Sequence, residues 1–182
     1  MKNIPNLLST LRILLVPLFV VLMLEEETFW AGLVLVLSGL SDMLDGMLAR
    51  HFGWITPLGK ILDPIADKLT QAAVCVVLAI LHPQYIAFFV IMIVKELLMM
   101  CCSAWLLKQG ERPVAAKWYG KVATVVFYCT MILLVFFPAL PAALIYTLLS
   151  VTTGLVVFAF IKYLMLYLTP KGKIKKDGEI HP

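Results

Sequence analysis

The chain has 182 residues, of which 62% are hydrophobic, and its 15 Lys and Arg against 11 Asp and Glu leave a formal charge of +4. That apolar share, with a mean hydropathy of +0.98, excludes an ordinary water-soluble domain and leaves no length for a separate soluble catalytic module. Nothing in the charge pattern points to a nucleic-acid partner.

A spanning helix needs about 20 mostly apolar residues. Six are predicted in chain order: Leu7–Leu24, Phe29–Ala49, Pro57–Leu81, Tyr85–Leu107, Trp118–Phe137 and Ala142–Leu168. The expected fold is all-α, a polytopic bundle of six transmembrane helices over residues 1–168, followed by a basic cytoplasmic tail, 169–182. The first segment reads as a span rather than a cleaved signal peptide, because its core is too long and no small-x-small site precedes Glu25. Six spans place the N-terminus, the turns after the second and fourth helices and the C-terminus on one side. That side carries Lys2, Arg50, Lys60, Lys108, Arg112, Lys117, Lys121 and the tail lysines Lys171, Lys173, Lys175 and Lys176. The opposite loops, Glu25-Glu26-Glu27, His82-Pro83-Gln84 and Pro138–Pro141, carry neither Lys nor Arg. Both termini are therefore expected in the cytoplasm, with the chain in the cell membrane. Cys75, Cys101, Cys102 and Cys129 form no C-x-x-C pair and read as packing residues. His51, His82 and His181 share no ligand spacing.

The second and third segments are joined by the chain's acidic stretch, Ser41 to Lys68, which holds Asp42, Asp45, Asp63 and Asp67. At about 100° per residue, Asp42, Asp45, Gly46 and Ala49 share one helical face, and Gly59, Asp63, Ala66, Asp67 and Thr70 share one face of the next helix. Two such helices joined by a short turn point four carboxylates at one volume, and like charges that close require something positive among them. Hard oxygen donors suit Mg²⁺, Mn²⁺ or Ca²⁺ better than zinc. The stretch reads D-x2-D-G-x2-A-R-x8-G-x3-D-x3-D. Asp42, Asp45 and Asp63 have the chemistry to bridge two divalent cations about 3.5–4 Å apart, as in two-metal phosphoryl transfer. Gly46, Ala49 and Gly59 lack bulk where a large polar ligand would approach backbone. Arg50 can fork onto a phosphate, and Asp67, one turn deeper, can take a proton from an attacking hydroxyl. The alternative is structural pairing of the aspartates with Arg50, Lys60 or Lys68, which accounts for one such residue more easily than for four.

The eight fixed positions of this stretch resemble the signature of the CDP-alcohol phosphatidyltransferases, and the six spans and the opening NIPNLLSTLR are similar to that family as well. The resemblance implies a CDP-linked lipid donor, an alcohol acceptor and release of CMP. It implies two Mg²⁺ or Mn²⁺ ions held by Asp42, Asp45 and Asp63, with Asp67 as general base and possible further ligand. It also implies nucleotide and diphosphate contacts at Gly46, Ala49, Arg50 and Gly59, with Asn6, Ser9 and Arg12 helping to hold the CDP moiety, and a homodimer. For Arg12 the alternative is a snorkelling arginine near the cytoplasmic interface.

Lys95 and Glu96 lie in the middle of the fourth segment, where charge is expensive. Adjacent residues point about 100° apart, so they need not pair with each other, and a contact to another helix is expected, with a direct substrate role as the alternative. Arg112, Lys117 and Lys121 form a cytoplasmic basic rim that suits a phosphate on the acceptor, or else an ordinary positive-inside loop. The family's glycerol-3-phosphate-using branch usually reads G-K-x-K-T here, and this chain has Gly120-Lys121-Val122-Ala123-Thr124. The expected activity is transfer of a phosphatidyl group from CDP-diacylglycerol to glycerol-3-phosphate, giving phosphatidylglycerophosphate. Phosphatidylglycerol as acceptor, giving cardiolipin, is the alternative, and a divalent-cation transporter is the alternative from another class.

Overall fold

The computed structural model describes residues 4–51, 59–109 and 117–168. Six α-helices account for nearly all of them: α1 (Ile4–Leu24), α2 (Thr28–His51), α3 (Gly59–Leu81), α4 (Ile86–Lys108), α5 (Trp118–Phe136) and α6 (Ala142–Leu168), with a 3₁₀ turn at Pro83–Tyr85 before α4. Their limits lie within a few residues of the segments expected from hydropathy. Five are long and apolar enough to cross a membrane. In α2 the apolar stretch among the described residues is Thr28–Asp42.

The helices close a ring. α1 packs on α2, α2 on α5, α5 on α6, α6 on α4, α4 on α3, and α3 returns to α1. Among the described residues α2 and α3, neighbours in sequence, make few direct contacts, and α1 packs against both. The first helix thus meets both of the helices that carry the aspartates.

Apolar packing fills the interior. Phe19, Ala31, Leu35, Val74, Leu78, Phe89, Met131 and Leu149 belong to one buried cluster drawn from all six helices. Large apolar side chains such as Leu14, Leu18, Ile80, Val94, Val125 and Phe158 point outward, as lipid-facing surfaces require. Close approach is bought locally by small residues and hydroxyls. A Cβ on Gly32 would lie 2.6 to 2.8 Å from ring atoms of Phe136, so α2 meets α5 through hydrogen against aromatic ring. Thr130 and Thr152 share a buried 2.8 Å hydrogen bond between α5 and α6. The α1–α2 reversal is a Schellman motif: Glu27 N–H bonds Leu22 C=O at 2.9 Å, Glu26 N–H bonds Met23 C=O at 3.3 Å, and Glu26 sits in the left-handed region at φ 63°.

Candidate active site

The polar side chains concentrate at the end of the ring where α1 begins, α2 ends and α3 begins. Ser9 and Arg12 lie on the inward face of α1, and both are fully buried. Arg12 Nη1 donates to Asp42 Oδ1 of α2 at 2.7 Å. The Ser9 hydroxyl donates to Asp63 Oδ1 of α3. The wedge helix thus carries one donor for each of the two aspartate-bearing helices, which explains why a charged residue sits on it at depth. An arginine without an anionic partner would snorkel to the interface; Arg12 instead stays wholly inside, against a carboxylate. Asp63 and Asp67 lie within electrostatic range of Asp42, so the carboxylates of α2 and α3 stand at the same end of the ring as the Arg12 guanidinium.

Asp67 lies one helical turn beyond Asp63 and is surrounded by donors. Gln71 Nε2 is 3.0 Å from each of its two oxygens. The Tyr128 hydroxyl, from α5, donates to Oδ1 at 3.0 Å, and Lys68 Nζ stands 3.6 Å from Oδ2. Lys68 turns the greater part of its charge to Glu96 of α4, whose Oε2 is 2.5 Å away, and Glu96 also meets Lys95. The contact from α4 to another helix is therefore with α3. Lys95 and Glu96 do pair with each other, because the flexible lysine stem bridges the angle between adjacent helical positions.

The remaining expected residues are placed as follows. Gly59 is buried at the start of α3. Asn6 lies in α1, and Asp45, Gly46, Ala49 and Arg50 lie in the last turns of α2; their side chains are outside the described set. Arg112 lies outside the described residues altogether. Lys117 and Lys121 are exposed at the start of α5, and no bond joins either to the aspartates among the described residues. The Lys117 backbone N–H donates to the Tyr163 hydroxyl at 2.8 Å, and a Cβ on Gly120 would come within 2.5 Å of that same oxygen, so Gly120 lets the start of α5 close on α6. Two members of the site were not anticipated. Gln71 was within reach of sequence reasoning, being polar and one turn from Asp67 on the same face. Tyr128 was not, since it sits in the apolar run VVFYCTMILL with no periodic signal to single it out.

Among the described residues no three acidic, histidine or cysteine side chains already form a metal cage. Donor chemistry nevertheless fits a hard divalent cation. The bonds from Arg12 and Ser9 occupy only Oδ1 of Asp42 and of Asp63, and a carboxylate offers roughly four lone-pair sites, so each retains capacity for an ion.

Residues 2–167 match the family described as CDP-alcohol phosphatidyltransferase, and the chain belongs to that family; it is a transferase enzyme. It is similar to the CDP-diacylglycerol–glycerol-3-phosphate 3-phosphatidyltransferase of Haemophilus influenzae, at 36% identity over 128 residues covering 67% of this chain and 69% of that protein. The protein of the same name from Escherichia coli K12 is 34% identical over 131 residues, 67% of this chain and 70% of its own. A cardiolipin synthase (CMP-forming) of Streptomyces coelicolor is 38% identical over 128 residues, 67% of this chain and 60% of that protein.

Proposed function

We propose that the protein acts in phospholipid biosynthesis, transferring a phosphatidyl group from CDP-diacylglycerol to glycerol-3-phosphate to give phosphatidylglycerophosphate and CMP. The observation that carries this reading is the convergence of Asp42, Asp63 and Asp67 on one volume at the end of the ring, with Ser9 and Arg12 orienting two of them. Asp42, Asp45 and Asp63 would hold two Mg²⁺ or Mn²⁺ ions, with Asp67 near enough to add a ligand oxygen. Bound there, such ions supply positive charge that polarises the diphosphate. Gly46, Ala49 and Gly59 leave space for the nucleotide, Arg50 and Asn6 contact it, and Arg112, Lys117 and Lys121 draw the phosphate of the acceptor. Asp67 takes the proton of the acceptor hydroxyl. The hydroxyl oxygen then attacks the lipid-side phosphorus, the bond from that phosphorus to the bridging oxygen breaks, and CMP leaves with the electron pair.

In this reading all six helices span. α2 has 24 residues, about 36 Å at 1.5 Å per residue, against a hydrocarbon core of about 30 Å. The asymmetry of Lys and Arg puts both termini and the site on the cytoplasmic side of the cell membrane, and the tail 169–182 serves as a basic topology signal. A homodimer is the expected assembly.

A second acceptor, phosphatidylglycerol, is favoured by one specific feature, the alanine at position 123 where the glycerol-3-phosphate-using branch usually has lysine. That feature has a packing component, because Ala123 is buried against Val156 and Ala159 of α6. CMP release by the detergent-purified protein, supplied with CDP-diacylglycerol and each acceptor in turn, separates the two. Turnover with glycerol-3-phosphate and none with phosphatidylglycerol is expected, and the reverse pattern would overturn the choice. Asp67→Asn should abolish transfer while donor binding persists; an active variant would remove Asp67 from the role of base.

A further inference from the structure

The ring order sets α3 and α5 on opposite walls. Travelling either way round, two helices separate them: α1 and α2 on one side, α4 and α6 on the other. Yet the Tyr128 hydroxyl of α5 reaches Asp67 Oδ1 of α3 at 3.0 Å. This bond crosses the interior, and it differs in kind from the others that Asp67 receives. Gln71 belongs to α3 itself and moves with Asp67, and Lys68, also on α3, stands 3.6 Å from Asp67 while it bonds Glu96 of the adjacent α4. Gln71 also spans both carboxylate oxygens at the same 3.0 Å and does not distinguish them. Tyr128 alone among the described donors ties the carboxylate to the opposite wall, and it does so through Oδ1, with Lys68 on the side of Oδ2.

We propose that Tyr128 is a positioning residue for the transfer reaction. Its hydroxyl engages Oδ1 of Asp67 and thereby presents Oδ2 as the oxygen that takes the acceptor's proton. The bond also fixes Asp67 against α5, the helix whose first turns carry Lys117 and Lys121, so that the base and the acceptor-side cations keep one separation. This inference rests on the reading of Asp67 as the base. The physical need is clear, since the terminal torsion of an aspartate is soft and roughly two-fold, and misplacing a catalytic group by about 1 Å costs on the order of 100-fold in rate.

Phenylalanine at this position tests the hydroxyl alone. The Tyr128 ring packs against the apolar core and lies edge-on to Phe127 with centroids 5.6 Å apart, and Tyr128→Phe keeps both contacts. The experiment measures CMP release by full-length protein with CDP-diacylglycerol and whichever acceptor turns over, extracting kcat and both KM values, with a thermal melt of each variant alongside. For Tyr128→Phe, kcat is expected to fall about 10- to 100-fold, the range of a hydrogen bond to a charged group, with KM for CDP-diacylglycerol and the melting temperature unchanged. An unchanged kcat overturns the proposal. So does a loss carried by the donor's KM and matched by a lowered melting temperature, which would make the hydroxyl a structural bond only. Asp67→Asn in the same assay keeps the two levels apart: if it stays active, the reading of Asp67 fails; if it is inactive while Tyr128→Phe is normal, only the role of Tyr128 fails.

Discussion

Ser38 lies one turn before Asp42 on α2, 3% exposed, and its hydroxyl has no hydrogen-bond partner among the described residues. It lines a small, mostly apolar cavity with Leu15, Phe19, Leu35 and Thr70. A buried hydroxyl left unsatisfied costs about 1–3 kcal/mol, so Ser38→Ala should raise the melting temperature in detergent with little change in CMP release. A lowered melting point would show that the hydroxyl is satisfied, for instance by an ordered water. At this scale the sequence was informative where charge is out of place. Asp42, Asp63 and Asp67 stand out because carboxylates in hydrocarbon demand an explanation. It was silent where a residue is ordinary for its surroundings: Tyr128 looks like any aromatic in an apolar helix, and only the fold reveals that its hydroxyl crosses the ring. Ser9 and Arg12 were legible as members of the site through family resemblance, but their grip on Asp63 and Asp42 depends on α1 entering between two helices, which no local spacing encodes.

Between α3 and α4 the main polar contact is the chain Asp67, Lys68, Glu96 and Lys95, two charges of each sign at mid-helix depth. Glu96 holds it together, since it bonds both lysines. Removing one partner of a buried ion pair costs about 3–5 kcal/mol; with Lys68 and Lys95 partly accessible, at 31% and 19%, the lower end applies. Glu96→Leu should therefore lower the stability of the folded protein by about 3 kcal/mol, read as a fall in melting temperature. It should also reduce CMP release, because Lys68, freed from Glu96, can close the 3.6 Å gap to Asp67. A stable, fully active variant would show that the chain is dispensable. Helix limits were readable from hydropathy to within a few residues, because apolar length is a property of each segment alone. Helix neighbours were not: the order α1, α2, α5, α6, α4, α3 arises from small-residue contacts such as Gly32 on Phe136, which involve partners far apart in sequence.

For the molecule as a whole, the charge asymmetry makes a directional prediction. An impermeant thiol reagent applied to intact cells should modify Glu26→Cys, in the α1–α2 turn, and leave a cysteine placed in the tail unmodified until the membrane is opened. This test is run in a background lacking the four native cysteines, and the opposite pattern would invert the topology proposed above. The wedge position of α1 carries a consequence for biogenesis. Its Arg12 is fully enclosed only because Asp42 faces it, and Asp42 is synthesised thirty residues later. Until that second segment leaves the ribosome, the nascent first segment holds an unneutralised cation, which at the middle of a bilayer would be unfavourable by about 2.5–3.5 kcal/mol on translocon scales. The first two segments should therefore reach their final depth as a pair, presenting a docking face to the third before the remaining helices close the ring.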